Sequence, residues 1–298
     1  MPSFGQTVKV GAFVNVCLSS TSCAKWAGME TFYDTHAHLT FLDFADEVPA
    51  LLERAQVAGI TRIVTIGTDL DSSLRAIRLA EMHESIYAVV GWHPNDLEAA
   101  PEDVREDLRP LCAHPKVVAI GETGIDHYRL PSSGGGSEAE DKAWKARQEK
   151  IFCQQLELAV EQELSVVIHQ RVALESTLEI FEQYADRVCG QFHCFVDDAA
   201  SMQRIIKMGS LVSFTGIATF KNAEDVRETI KATPMDKLML ETDSPFLAPV
   251  PHRGKRCEPS FTRHVAEVIA EVKGVSLDQL SGSTCATAHA FFPKLKLS

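Results

Sequence analysis

Residues 117–124 read VVAIGETG: four apolar residues, a glycine, a glutamate, then threonine and glycine. A strand with one wet face would alternate apolar and polar positions, so an unbroken apolar run of this length predicts a strand covered on both faces. Seven further runs share the pattern: TFYDTH (31–36), RIVTIGT (62–68), IYAVVGWH (86–93), LSVVIH (164–169), GQFHCF (190–195), GSLVSFTG (209–216) and KLMLETD (237–243). Helical spacing fills the gaps. In ADEVPALLERAQVAG (45–59), Val48, Leu51, Leu52 and Ala55 fall on one face and Gly59 supplies a stop. In RQEKIFCQQLELAVEQE (147–163), Ile151, Phe152, Leu156, Leu158 and Ala159 do the same. Eight β-then-α units predict an α/β fold, a TIM-like (β/α)8 barrel in a single domain. An open doubly wound sheet is the alternative, but the Gly-rich phosphate loop of a dinucleotide fold is missing.

The chain has 298 residues, 45% of them hydrophobic and 23% charged, enough for a large core without staples. Its formal net charge of −12 argues against a general electrostatic nucleic-acid binder. Bound divalent cations would supply local positive charge, so a nuclease is not excluded. The eight cysteines form no CxxC pair and several sit in apolar runs, which predicts reduced thiols and a cytoplasmic protein. No apolar run reaches the length of a membrane span, so no membrane partner is expected. Residues 1–30 differ from the rest. They resemble a weak signal peptide with almost no basic start, or an extension, disordered or arising from an upstream start codon, ahead of a domain spanning 31–298. Residues 130–141, LPSSGGGSEAED, read as a flexible loop: a lid over the site or a solvated insertion. The tail SLDQLSGSTCATAHAFF (276–292) reads as a final helix packed on the barrel.

In such a barrel the strands' C-terminal ends gather on one face and carry the site. His36, His38, Glu122, His169, His193 and Asp243 each follow or interrupt an apolar run. His36 and His38, two apart on a strand, point the same way and can chelate one ion. Glu122 would be costly to bury alone. An arginine could neutralise it, but a divalent ion is the expected partner, and its two oxygens could bridge two ions. A lone buried histidine is usually a hydrogen-bonded core residue; His169 and His193 on successive strands, facing His36 and His38, outweigh that reading. Four histidines and two carboxylates suffice for two divalent ions, with Mg, Mn and Zn all admissible. Water activated by such ions needs a base, and Asp243 can serve. Asp34 could orient a ligand histidine. His93 could orient a ligand, touch substrate or simply pack. Asp243, Glu122 and His93 are thus the catalytic candidates. No G-x-S-x-G elbow offers a serine nucleophile. PHRGKRCEP (251–259) is the most basic stretch, and Arg253, Lys255 and Arg256 there are candidates for holding a substrate anion.

The ordered series DTHAHL, VGWHP, AIGETGIDHYR, VIHQR, FHCF, ETDSPFLAP and RGKRCEP resembles the TatD-type metal-dependent deoxyribonucleases of the amidohydrolase superfamily, from Phe32 to about Phe292. The resemblance implies a barrel hydrolase with two divalent ions, one held by His36, His38, Glu122 and Asp243, the other by Glu122, His169 and His193. It implies a DNA substrate, single-stranded or at 3′ ends, cut by 3′-5′ exonuclease action. The family pattern usually has Asn at Cys257, often Tyr at Phe246, a smaller residue at Trp92 and an Asn-containing last helix. These departures bear on specificity and loop packing. The same ligands would also serve an amide, ester or lactone hydrolase, and a barrel that had lost activity would act as a binding protein. A monomer is expected.

Overall fold

The computed structural model describes residues 30–44 and 47–295. The expected extension lies outside the described residues, Glu30 excepted. Eight parallel strands run in sequence order: β1 (Phe32–Ala37), β2 (Ile60–Ile66), β3 (Ile86–Val90), β4 (Val117–Asp126), β5 (Ser165–Arg171), β6 (Gly190–Phe192), β7 (Leu211–Phe214) and β8 (Leu238–Leu240). Helices follow them in turn: α1 (Val48–Val57), α2 (Leu70–Met82), α3 (Arg105–Cys112), α4 (Glu138–Gln162), α5 (Leu174–Phe181), α6 (Ala199–Lys207), α7 (Glu224–Ala232) and α8 (Thr262–Lys273), with α9 (Leu277–Phe291) added. The sheet closes where Ala37 bridges Ser244. The Asp243 N–H donates to His36 O at 2.9 Å and the His38 N–H to Ser244 O at 2.8 Å. This is the expected TIM (β/α)8 barrel.

Every apolar run forms a strand, but the strands do not all stop at the candidate ligand. β4 continues to Asp126 and β5 to Arg171, so Glu122 and His169 lie inside their strands. Two glycines permit this. A Cβ on Gly121 would stand 2.6 Å from Val167 O, and one on Gly124 only 2.0 Å from His169 O. Only a residue without a side chain allows β4 and β5 to approach so closely.

One apolar layer lies between strands and helices; a second fills the barrel interior with Tyr33, Val64, Ile66, Tyr87, Val89, Val118 and Val167. Phe291, Phe292 and Leu295 complete that interior layer, so the predicted tail helix seals the floor of the barrel. Side-chain hydrogen bonds fix it there: Ser165 Oγ donates to Phe291 O at 2.6 Å and Ser283 Oγ to Met235 O at 3.0 Å.

The stretch 130–141 is less loose than its composition suggests. Pro131–Gly134 form a 3-10 turn, and α4 begins at Glu138 with a Ser137–Glu140 capping box. The Ser132 N–H donates to Asp141 Oδ1 at 2.8 Å, tying the turn to the helix. Four acidic or capping groups at a helix start outweigh the glycines. Among the described residues six cysteines are free, and no helix is long and apolar enough to cross a membrane.

Candidate metal centre

The barrel's C-terminal face brings six predicted ligands into one cluster. His36 is in β1, His38 directly after it; His193 follows β6 and Asp243 follows β8. Asp243 takes a left-handed φ of 57°, uncommon for a residue with a side chain and frequent at functional sites. His36 Nε2 lies 3.3 Å from Glu122 Oε2, 3.6 Å from Asp243 Oδ1 and 3.3 Å from His38 Nε2. His38 Nε2 lies 3.5 Å from Glu122 Oε2 and 3.3 Å from Asp243 Oδ1. On the other side, Glu122 Oε1 is 2.9 Å from His169 Nδ1 and 2.8 Å from His193 Nε2. His169 Nδ1 and His193 Nε2 are 3.3 Å apart.

These spacings suit cations. Donors each about 2.1 Å from one ion stand about 3 to 3.4 Å from one another. Glu122 Oε2 is buried with no hydrogen-bond partner although two imidazole nitrogens surround it. A buried oxygen without a hydrogen bond calls for another partner, and an ion is one. The donor groupings able to hold an ion include His36, His38 and Glu122; His36, His193 and Asp243; and His93, Glu122 and His169. The residues therefore fit divalent metal, and Glu122 offers one oxygen to each side.

The charges within the cluster lean on one another. Burial alone would push the Glu122 carboxyl up, but His193, His93 and His36 hold it well below the usual range. Asp243 is likewise held low, against burial, by a hydrogen bond from His38 and the charges of His36 and His193. Burial disfavours the charged form of His193, yet Glu122 and then Glu241 hold its pKa well above the ordinary value. His169 is raised too, with Asp126 and Glu122 overcoming burial. His36 and His93 go the other way, lowered chiefly by burial.

His93 does face the cluster: its Nε2 is 3.5 Å from Glu122 Oε1, and its ring meets His169 edge-on at 4.5 Å. Its Nδ1 accepts from the Asn95 N–H at 3.0 Å, which leaves Nε2 aimed inward. Asp34 does not orient a ligand ring. Its carboxylate accepts from Thr242 Oγ1 at 2.6 Å, the Thr242 N–H at 3.0 Å and the His36 N–H at 3.3 Å. It sews β1 to the end of β8, because its oxygens meet the neighbouring backbone before they could reach a ring.

Two other carboxylates stand behind the ligands and were not singled out from sequence. Asp126 Oδ2 lies 3.2 Å from His169 Nε2 and accepts from Asn95 Nδ2 at 2.9 Å, so it fixes which nitrogen of His169 faces Glu122. Glu241 is fully buried, accepting from Ser213 Oγ at 2.6 Å and the Cys194 N–H at 2.6 Å. Its Oε1 is 3.6 Å from His193 Nδ1, a charge contact too long for a hydrogen bond. Their signal was present: each is an acid ending an apolar strand, in GETGID and LMLETD.

The basic stretch is divided. Arg256 is paired with Glu47 at 2.5 Å. Arg253 lies over the Phe220 ring, 4.2 Å from its centre, and Lys255 is exposed.

Known proteins share this chain's sequence and fold. The sequence profile of the TatD related DNase family matches residues 33–293. The chain is 39% identical over 261 residues to the uncharacterized metal-dependent hydrolase YabD of Bacillus subtilis, covering 87% of this chain and 98% of that protein. It is 30% identical over 266 residues to the 3′-5′ ssDNA/RNA exonuclease TatD of Citrobacter rodentium, covering 87% and 97%. The crystal structure of YJJV, a TatD homolog from Escherichia coli K12, superposes with a TM-score of 0.80 at 27% identity, over 88% of this chain and 98% of that one. The fold, the converging donors and these likenesses agree: the chain is a metal-dependent hydrolase belonging to the TatD related DNase family.

Proposed function

We propose that the protein hydrolyses phosphodiester bonds of DNA, taking single-stranded ends and working from the 3′ terminus. The observation that carries this reading is the shared Glu122: one set of donors meets its Oε2 and a second meets its Oε1. We assign His36, His38, Glu122 and Asp243 to one divalent ion and Glu122, His169 and His193 to the other, with Mg, Mn and Zn all suitable. Such a pair, when bound, offers Lewis acidity to a phosphoryl oxygen and lowers the pKa of a water towards about 7.

The chain's own groups supply the rest. Asp243, 15% exposed, is the ligand carboxylate with access to water, whereas Glu122 is 2% exposed. Asp243 accordingly accepts the proton of the attacking water at its free oxygen, and Glu122 acts as a fixed charge. His93, held with Nε2 inward, donates to a phosphoryl oxygen. Arg253 and Lys255 hold the neighbouring phosphate, and Arg256, shared with Glu47, shapes their loop. The named activity of the Citrobacter relative supports a single-stranded nucleic acid as substrate.

The test is metal content by mass spectrometry together with turnover of single-stranded DNA, RNA, an ester and an amide. Two equivalents of metal and preferential cleavage of DNA from the 3′ end, abolished by EDTA and restored by Mg or Mn, is the expected result. Turnover of the ester or amide alone would replace the nuclease reading with a carbonyl hydrolase.

A further inference from the structure

We infer that the barrel mouth carries two stacking stations for nucleobases, on opposite sides of the metal cluster; this rests on the nucleic-acid reading above and adds how the substrate is gripped. The starting point is where large apolar side chains are exposed. Leu42, Tyr128, Val172, Val196, Phe246 and Val250 all stand on loops that follow a strand, hence on the rim around the cluster. Among the described residues the other two, Val57 and Met82, end α1 and α2 at the opposite end of the barrel. Single exposed apolar residues are ordinary; their concentration around one opening is not.

Within that rim the aromatic rings form two groups. After β4 and β5, the Tyr128 ring, 57% exposed, lies under the Arg171 guanidinium at 3.8 Å. Arg129 is exposed beside it. After β8 and β1, Phe246, 49% exposed, meets Phe41 edge-on at 5.9 Å, and Phe41 stacks on the ligand His38 at 4.9 Å. Further along the same loop as Phe246 come two exposed cations, Lys255 and Arg253, the latter lying over the Phe220 ring at 4.2 Å. In a closed eight-stranded barrel ordered β1 to β8, the β4/β5 edge lies across from the β8/β1 seam. The cluster is therefore flanked by an exposed ring on each side, stacked with an arginine at Tyr128 and sharing its loop with two cations at Phe246.

The occupant that fits is an unpaired nucleotide strand. Its bases present π-faces to the rings, its backbone anions face the arginines, and one linkage spans the cluster between them. A duplex offers no free base faces to either ring. The net charge of −12 gives the protein little long-range pull on a polyanion, so local stacking has to supply much of the grip. Stacking has no base-edge code, so the stations select for unpaired bases and not for sequence.

The probe is a pair of fluorescent single strands of equal length, one of thymidines and one wholly abasic, compared by anisotropy with EDTA present so that neither is cut. The wild-type protein should prefer the thymidine strand by about ten-fold or more per station. Tyr128→Leu and Phe246→Leu keep an apolar side chain but remove the ring; each should reduce the thymidine-to-abasic affinity ratio, and together they should bring it near one. Met82→Leu, at the far end, should keep the wild-type ratio. Equal affinity for both strands in the wild type, including no measurable binding of either, or a ratio unmoved in the double variant, overturns the stations. Cleavage assays with Mn separate this from the nuclease reading. Equal cutting of both strands removes the stations and leaves a nuclease, while base-dependent binding without any cutting keeps the stations and removes the nuclease.

Discussion

At the scale of single residues, the proposed roles of Asp243 separate ligation from proton transfer. A ligand needs a lone pair; a base must also take up a proton, which a carboxylate can do and an amide cannot. Asp243→Asn keeps an oxygen donor and should retain metal and fold, while turnover drops by about two to four orders of magnitude. Glu122→Ala removes the one group shared by both donor sets, so occupancy should fall at both positions. Mass spectrometry of metal content beside turnover of single-stranded DNA reads both outcomes; normal rates in Asp243→Asn would end its assignment as base. Protons are the natural competitors of the metal here. His193 and His169 ligate only when neutral, and Glu122, Glu241 and Asp126 raise their pKa above the ordinary histidine value, against burial. A raised pKa means that protons occupy these rings at higher pH than in free histidine. Metal affinity should therefore increase steadily as pH rises through and above about 6.5, the ordinary histidine value. Calorimetric titrations at several pH values test this, and an affinity that is flat or falls with rising pH would contradict it.

At the scale of elements, α4 holds the site from outside the barrel with glutamines. Gln155 Nε2 donates to Trp92 O at 2.9 Å and Thr123 Oγ1 at 2.6 Å, while its Oε1 accepts from the Trp92 N–H at 2.8 Å. Gln148 Nε2 donates to Asp126 O at 3.0 Å and Pro94 O at 3.1 Å. Irregular backbone next to His93 and Glu122 is thus satisfied by one helix face. Gln155→Leu should cost about 1–3 kcal/mol, the penalty of buried polar groups left unpaired, visible as a lower denaturation midpoint with an unchanged denaturant slope. Full stability in that variant would show that the loop finds other partners. This face also marks a limit of legibility. Ile151, Phe152, Leu156 and Ala159 announced α4 by their spacing, but the buried glutamines are polar and read as a solvated side until the loops that need them are in place. Asp126 and Glu241 were hidden for a related reason. Each stands within a few residues of a stronger candidate ligand, and its partner ring comes from another strand. The six residues of the cluster were legible because histidines and carboxylates recurring at the ends of successive apolar runs must meet at one end of a closed barrel. Asp34 misled because nearness along a strand does not say whether backbone or ring lies within reach.

At the scale of the whole molecule, strand order followed from the βα alternation, since a parallel strand requires a crossover and consecutive crossovers of one hand place neighbours side by side. Closure was less legible: it depends on Asp34, Thr242 and the Ala37–Ser244 bridge, contacts between residues some two hundred positions apart. The family match begins at residue 33 and β1 at Phe32. A chain beginning at Met29 should accordingly fold with the same midpoint and hydrolyse single-stranded DNA at the full rate; an insoluble or inactive product would show that residues 1–28 take part.

The floor of the barrel sets an order of events during synthesis. Phe291, Phe292 and Leu295 are the last apolar residues of the described chain, and they cap side chains as early as Tyr33. All eight strands can leave the exit tunnel before α9 does, with the interior layer still open to water at its lower end. The nascent barrel therefore stays unsealed until α9 has emerged and docked. A message truncated before α9 would yield a chain with its six clustered donors intact and its inner core wet, a product for quality-control proteases and not for catalysis.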